Sequence, residues 1–116
     1  GSLFSFASVA LGAFGAHLLK QKLPENLFNI FEVGARYHFY HSLALFIVAW
    51  CIVQFPSSSF NIVGWLFILG IVLFAGSLYL LSLTGIQWFG AITPIGGICF
   101  LLGWLMLAWK VYQAAQ

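Results

Sequence analysis

Polar positions are so sparse along this chain that they mark its boundaries. The charges fall at Lys20, Lys22, Glu25, Glu32, Arg36 and Lys110, and the whole stretch from His38 to Trp109 holds no Asp, Glu, Lys or Arg. A helix rises about 1.5 Å per residue and needs about 20 apolar residues to cross a roughly 30 Å hydrocarbon core, so that stretch accommodates three crossings with short turns. Pro56-Ser57-Ser58-Ser59 and Thr84-Gly85-Ile86-Gln87-Trp88 supply the turn signals. Spans are therefore expected at about 38–55, 62–83 and 89–109. Trp65, Trp88, Trp109, Tyr37, Tyr40 and Tyr112 fall near span ends, where amphipathic rings settle.

The first apolar run, at about 3–19, ends in small residues, Ala13-Phe14-Gly15-Ala16, as a signal peptide would. No basic segment precedes it in this chain, and its length reaches the lower end of a crossing, so a first transmembrane helix is expected. Ser8, Gly12 and Ala16 recur every four residues, a face that permits close helix approach and predicts a helix packed inside a bundle. Between the first and second spans, residues 24–37 are amphipathic. Pro24 suits a first helical turn, and Glu25, Asn29, Glu32 and Arg36 form a polar stripe opposite Leu27, Phe28, Phe31, Gly34 and Ala35. Such a segment belongs along the headgroups and leads into the second span. Glu32 and Arg36 are four apart with the acid first, the order that suits a helical ion pair. The expected fold is all-α, a single polytopic domain of four transmembrane helices with an amphipathic interfacial helix between the first and second.

Composition narrows the function. With 63% hydrophobic and 5% charged residues, against roughly a quarter charged in ordinary globular proteins, the chain cannot build a water-soluble surface. A net charge of +2, thinly spread, provides no nucleic-acid footprint. Cys51 and Cys99 lie in different spans without metal-ligand spacing, so they are expected to be small packing residues, and no metal or cofactor is expected. Ser42, Ser77 and Ser82 have no carboxylate within the spans to complete a triad, which argues against an enzyme.

The candidate chemistry gathers at His17, Glu32, Arg36, Tyr37, His38 and His41. His17 closes the first span while His38 and His41 open the second, which predicts all three at one membrane level. Ionisable groups at membrane depth are costly and tend to serve function. Four readings stay open: haem ligation by His17 and His41, a quinone or lipid-headgroup site, a proton relay, or simple hydrogen bonding that holds the first two helices together. A second candidate is the helix break at Thr93, Pro94, Gly96 and Gly97, where proline removes a backbone donor and the glycines loosen the helix. It reads either as a binding site or as a packing kink near a helix start.

Four segments carry a resemblance: LGAFGAH at 11–17, FEVGARYHFYHSLAL at 31–45, FAGSLYLLSLTGI at 74–86 and GAITPIGGICFLLGW at 90–104. In this order they resemble the domain-of-unknown-function 423 family, the YgdD-like bacterial inner-membrane proteins related to transmembrane protein 256. The resemblance implies a four-helix inner-membrane protein without a settled activity. Its pattern falls on Gly12, Gly15, His17, Glu32, Gly34, Tyr37, His41, Gly76, Ser77, Tyr79, Thr93, Pro94, Gly96 and Gly97. Lys20, Lys22 and Arg36 favour a cytoplasmic first loop, whereas the resemblance implies the reverse, so orientation stays open. The expected function is that of a non-enzymatic accessory or assembly subunit, with the lipid bilayer and other membrane subunits as partners. The alternative is a small transporter or lipid- or quinone-binding protein, with its site between the His17, His38 and His41 cluster and the Pro94 break.

Overall fold

In a computed structural model describing residues 1–116, four helices are long and apolar enough to cross a membrane. Helix α1 runs Ser2–Leu19, α2 Glu25–Gln54, α3 Asn61–Thr84 and α4 Thr93–Ala114. A 3-10 turn, Gln87–Ala91, leads into α4. Each boundary has a local cause. Pro24 is extended (φ −54°, ψ 149°) and delivers the chain into α2 with Glu25 in the favourable first turn. Pro56 prevents α2 from continuing. Gly85 adopts φ 71°, the left-handed cap that ends α3. Pro94 occupies the first turn of α4, so the Thr93–Gly97 segment is a helix start.

The amphipathic stretch and the second span form one uninterrupted helix of 30 residues. At about 1.5 Å per residue it is about 45 Å long, some 15 Å more than the hydrocarbon core. The helices do not close into a four-cornered bundle. They lie in chain order as a staggered layer, α1 beside α2, α2 beside α3, α3 beside α4, with α1 making no substantial contact with α4. The Cα extents, 52 × 26 × 15 Å, describe that slab.

The core sits where α2, α3 and α4 meet, around Ala44, Val48, Phe67, Ile71, Phe100 and Leu107. Missing side chains bring α3 and α4 together. A carbon added to Gly96 would overlap the Phe74 backbone nitrogen and lie 2.8 Å from its Cα. Gly103 receives the Phe67 ring in the same way, at 2.7 Å. Phe74 itself belongs to a wide π-turn, Ile71–Ala75, in the middle of α3.

The first helix departs from expectation. It lies at the edge of the layer and not inside it; Ser8 is the one buried residue among Ser2–Ala10, and the π-turn Leu11–Gly15 buries none. Its small residues do permit close approach, with Gly15 against the Phe31 ring and Gly12 facing Ala35, but they serve α2 alone. With few residues inward, α1 has little to bury against a third helix.

Candidate functional site

Because α2 begins at Glu25, His38 and His41 lie near its middle, about 20 Å and 24 Å from its start. Their neighbours confirm the depth. Tyr37 packs on Phe74, at 5.0 Å between ring centroids, and Phe74 is close to the midpoint of α3. The histidines therefore sit at the middle level of the helical layer. His17 does not join them: it is exposed near the far end of α1, while His38 meets Phe4 near that helix's start, with ring centroids 6.2 Å apart. Thirteen helical residues, about 20 Å, separate the two levels. The expectation of a single histidine level fails because Arg36, the last charge before the apolar run, is no span boundary: α2 carries Glu32 and Arg36 on one face and continues past them.

His41 is fully engaged. Trp104 Nε1 donates to its Nε2 at 3.1 Å, and its Nδ1 stands 2.7 Å from the Tyr37 carbonyl. An indole N–H only donates and a carbonyl only accepts, so the imidazole that satisfies both is neutral with its proton on Nδ1. Its ring stacks on Phe100, at 3.5 Å between centroids and 8° between planes. Haem ligation by His17 and His41 is incompatible with this arrangement, since no nitrogen lone pair on His41 is free and His17 lies elsewhere. His38 pairs through Nδ1 with the Tyr79 hydroxyl at 2.9 Å, and Ser42 donates to the His38 carbonyl at 2.7 Å. His38 Nε2 and Ser5 Oγ are buried without partners. Toward the start of α4, Ser77 Oγ donates to the Phe74 carbonyl at 2.9 Å and lies 2.6 Å from Thr93 Oγ1. With its single proton so used, Ser77 accepts from Thr93.

Two grooves flank α2 on different sides. The first, about 350 Å³, lies between α1 and α2 and is lined by Gly12, Ala13, Ala16, Glu32, Ala35 and Arg36. Since Gly12 faces Ala35, Arg36 is level with the interior of α1. Glu32 and Arg36 are both exposed there and close no ion pair. The second groove, about 660 Å³, opens between α2 and α4 over Phe74 of α3 and takes in Tyr37, Tyr40, His41, Pro94, Gly97 and Trp104. It joins part of the expected histidine–tyrosine cluster to the Pro94 segment; His17, His38, Glu32 and Arg36 do not line it.

Sequence reasoning singled out neither Trp104 nor Phe74. The signal for Trp104 was available, because Pro94, Gly97, Ile98, Leu101 and Trp104 recur at helical spacing on one face of α4. Phe74 is held in place by the π-turn, which nothing in the residue pattern announced.

Comparison with known proteins places the chain. Residues 11–97 match the family model described as a protein of unknown function, DUF423. A UPF0382 membrane protein of Bacillus subtilis, YwdK, is 45% identical over 92% of this chain and 88% of its own length. A UPF0382 membrane protein of Staphylococcus haemolyticus is 49% identical over 97% of this chain and 92% of its own. No solved structure matches.

Proposed function

We start from the family to which the chain belongs, DUF423, a family of unknown function with bacterial membrane proteins among its relatives, and propose that it acts without catalysis as an accessory or assembly subunit of a larger membrane complex. The observation that supports this reading is the α1–α2 groove. It sets Glu32 and Arg36, both exposed, beside the small residues Gly12, Ala13 and Ala16. A charged side chain facing lipid well inside the bilayer costs about 2.5–3.5 kcal/mol even by the lenient insertion scales. Small residues beside it leave room for another helix backbone. A partner transmembrane helix carrying polar groups would relieve the first cost and use the second feature. The loose attachment of α1 agrees, since its seam with α2 has a single well-formed side-chain hydrogen bond, Ser8 to the Ala35 carbonyl at 3.3 Å, and leaves Ser5 Oγ unsatisfied.

The test is a native gel of the chain at natural expression, extracted in mild detergent. The chain is expected in a band heavier than its monomer, depleted by Ala13→Leu, which fills the groove, and by Arg36→Gln, which removes its cation. Migration as a lone monomer under those conditions overturns the proposal.

A further inference from the structure

The second groove has different chemistry and supports a different inference. It lies on another side of α2: at about 100° per residue, Tyr37 and His41 point away from Glu32 and Ala35, while Tyr40, one turn on from Arg36, stands at the border between the two grooves. Its volume, about 660 Å³, falls within the roughly 300–1,000 Å³ of small-molecule sites. No charged side chain lines it. The floor is aromatic, formed by Phe74 and by the stacked His41 and Phe100 rings.

The polar equipment is equally selective. His41 and the Trp104 N–H are already bonded to each other and to the Tyr37 carbonyl. What remains are the hydroxyls of Tyr37 and Tyr40, two residues whose rings meet edge to face at 5.9 Å and whose hydroxyls have no hydrogen-bond partner within the chain. An unpaired hydroxyl in hydrocarbon is costly, so a partner from a bound molecule would stabilise both. The wall opposite is cut away at Gly97. A carbon added there would meet only the Phe74 ring, at the ordinary contact distance of 3.8 Å, so packing between α3 and α4 does not require glycine at this position as it does at Gly96. The absent side chain serves to keep the groove open.

We propose that this groove binds a neutral, lipid-soluble molecule with a flat ring bearing carbonyl oxygens, of the isoprenoid quinone class, with the ring on the aromatic floor and its oxygens accepting from Tyr37 and Tyr40. No lining cation is there to pair with a phosphate headgroup. A purely hydrocarbon occupant would leave both hydroxyls unpaired. The open side toward lipid lets an apolar tail run out into the bilayer. The inference stands independently of the proposed subunit role, which rests on the α1–α2 groove.

The experiment titrates the purified full chain in phospholipid nanodiscs with a short-chain menaquinone, following quenching of tryptophan fluorescence; Trp104 lies in the groove wall. A prenyl alcohol with a matched tail and no ring carbonyl serves as competitor. Saturable quenching is expected, undisturbed by the prenyl alcohol. Tyr37→Phe combined with Tyr40→Phe is expected to weaken binding by about tenfold or more, as two neutral hydrogen bonds are lost while both rings stay. Gly97→Leu is expected to abolish it. Quenching by the wild-type chain that never saturates, or equal competition by the prenyl alcohol, overturns the proposal without recourse to any variant. So does unchanged affinity in the double phenylalanine variant when its helicity matches wild type.

Discussion

Gly96→Ala and Gly97→Ala differ by one position on the same helix, and the structure assigns them opposite consequences. At Gly96 the new methyl would overlap the Phe74 backbone nitrogen and stand 2.7 Å from Phe74 Cβ and 2.8 Å from its Cα. Backbone cannot rotate aside as a side-chain tip can, so α4 would have to withdraw from α3 by roughly 1 Å at its tightest crossing. Overpacking of this kind costs about 1–3 kcal/mol. The Ser77–Thr93 contact, 2.6 Å and close to the same crossing, would stretch and forfeit about 1 kcal/mol more. Against this stands a gain of about 1 kcal/mol from replacing glycine in a helix. The net expectation is a loss of about 1–3 kcal/mol. At Gly97 the methyl meets Phe74 Cδ2 at 3.8 Å and Cε2 at 3.9 Å, so only the helix-propensity gain remains. The two variants should therefore differ by about 3 kcal/mol, a hundredfold or more in the unfolding equilibrium. Reversible unfolding in mixed micelles with rising dodecyl sulfate, followed by far-ultraviolet circular dichroism, measures both. If the two midpoints coincide, so that the stabilities agree within about 0.5 kcal/mol, the α3–α4 crossing is not where the structure puts it.

Further outcomes follow from single contacts. Trp104→Phe leaves the His41 Nε2 lone pair without its donor and should cost about 1–3 kcal/mol in the same assay, while Trp109→Phe, on an exposed ring, should cost under about 0.5 kcal/mol. Gly85→Ala forces a side chain into the left-handed region at φ 71° and should destabilise by about 1 kcal/mol, with Gly85→Asn recovering part of the loss. Ser77→Ala removes both the Phe74 and the Thr93 contacts and should cost about 1–2 kcal/mol.

Much of the fold could be read from residues because lipid imposes a simple rule. Where Lys, Arg, Asp and Glu disappear, helices must satisfy their own backbones, and Pro24, Pro56, Gly85 and Pro94 then locate the ends. Depth was harder to read. The charges at Glu32 and Arg36 suggested a boundary, yet both stand exposed beside Phe31 and Ala35, which are buried against α1, while Gly34 is buried against α3. The histidine cluster divided for the same reason. Its true partners are distant in sequence: Trp104 is 63 residues from His41 and Tyr79 is 41 from His38. Spacing within one helix carries no information about such pairs. The small-residue stripe on α1 was legible as a close-packing face, but a stripe does not say how many helices it serves.

The central claim is that α2 crosses the membrane as one uninterrupted helix with its midpoint near Phe39 and Tyr40. A spin-label depth profile tests it directly, with single cysteines placed along the lipid-facing positions Phe39, Leu43, Phe46, Ile47 and Trp50 after Cys51 and Cys99 are replaced by alanine. Collisional access to oxygen relative to a water-soluble nickel chelate should be greatest at Phe39 and Leu43 and fall steadily toward Trp50. A maximum at Phe46 and Ile47, with position 39 near the headgroups, would contradict the account, returning the histidines to the interface and removing the mid-bilayer groove from its depth.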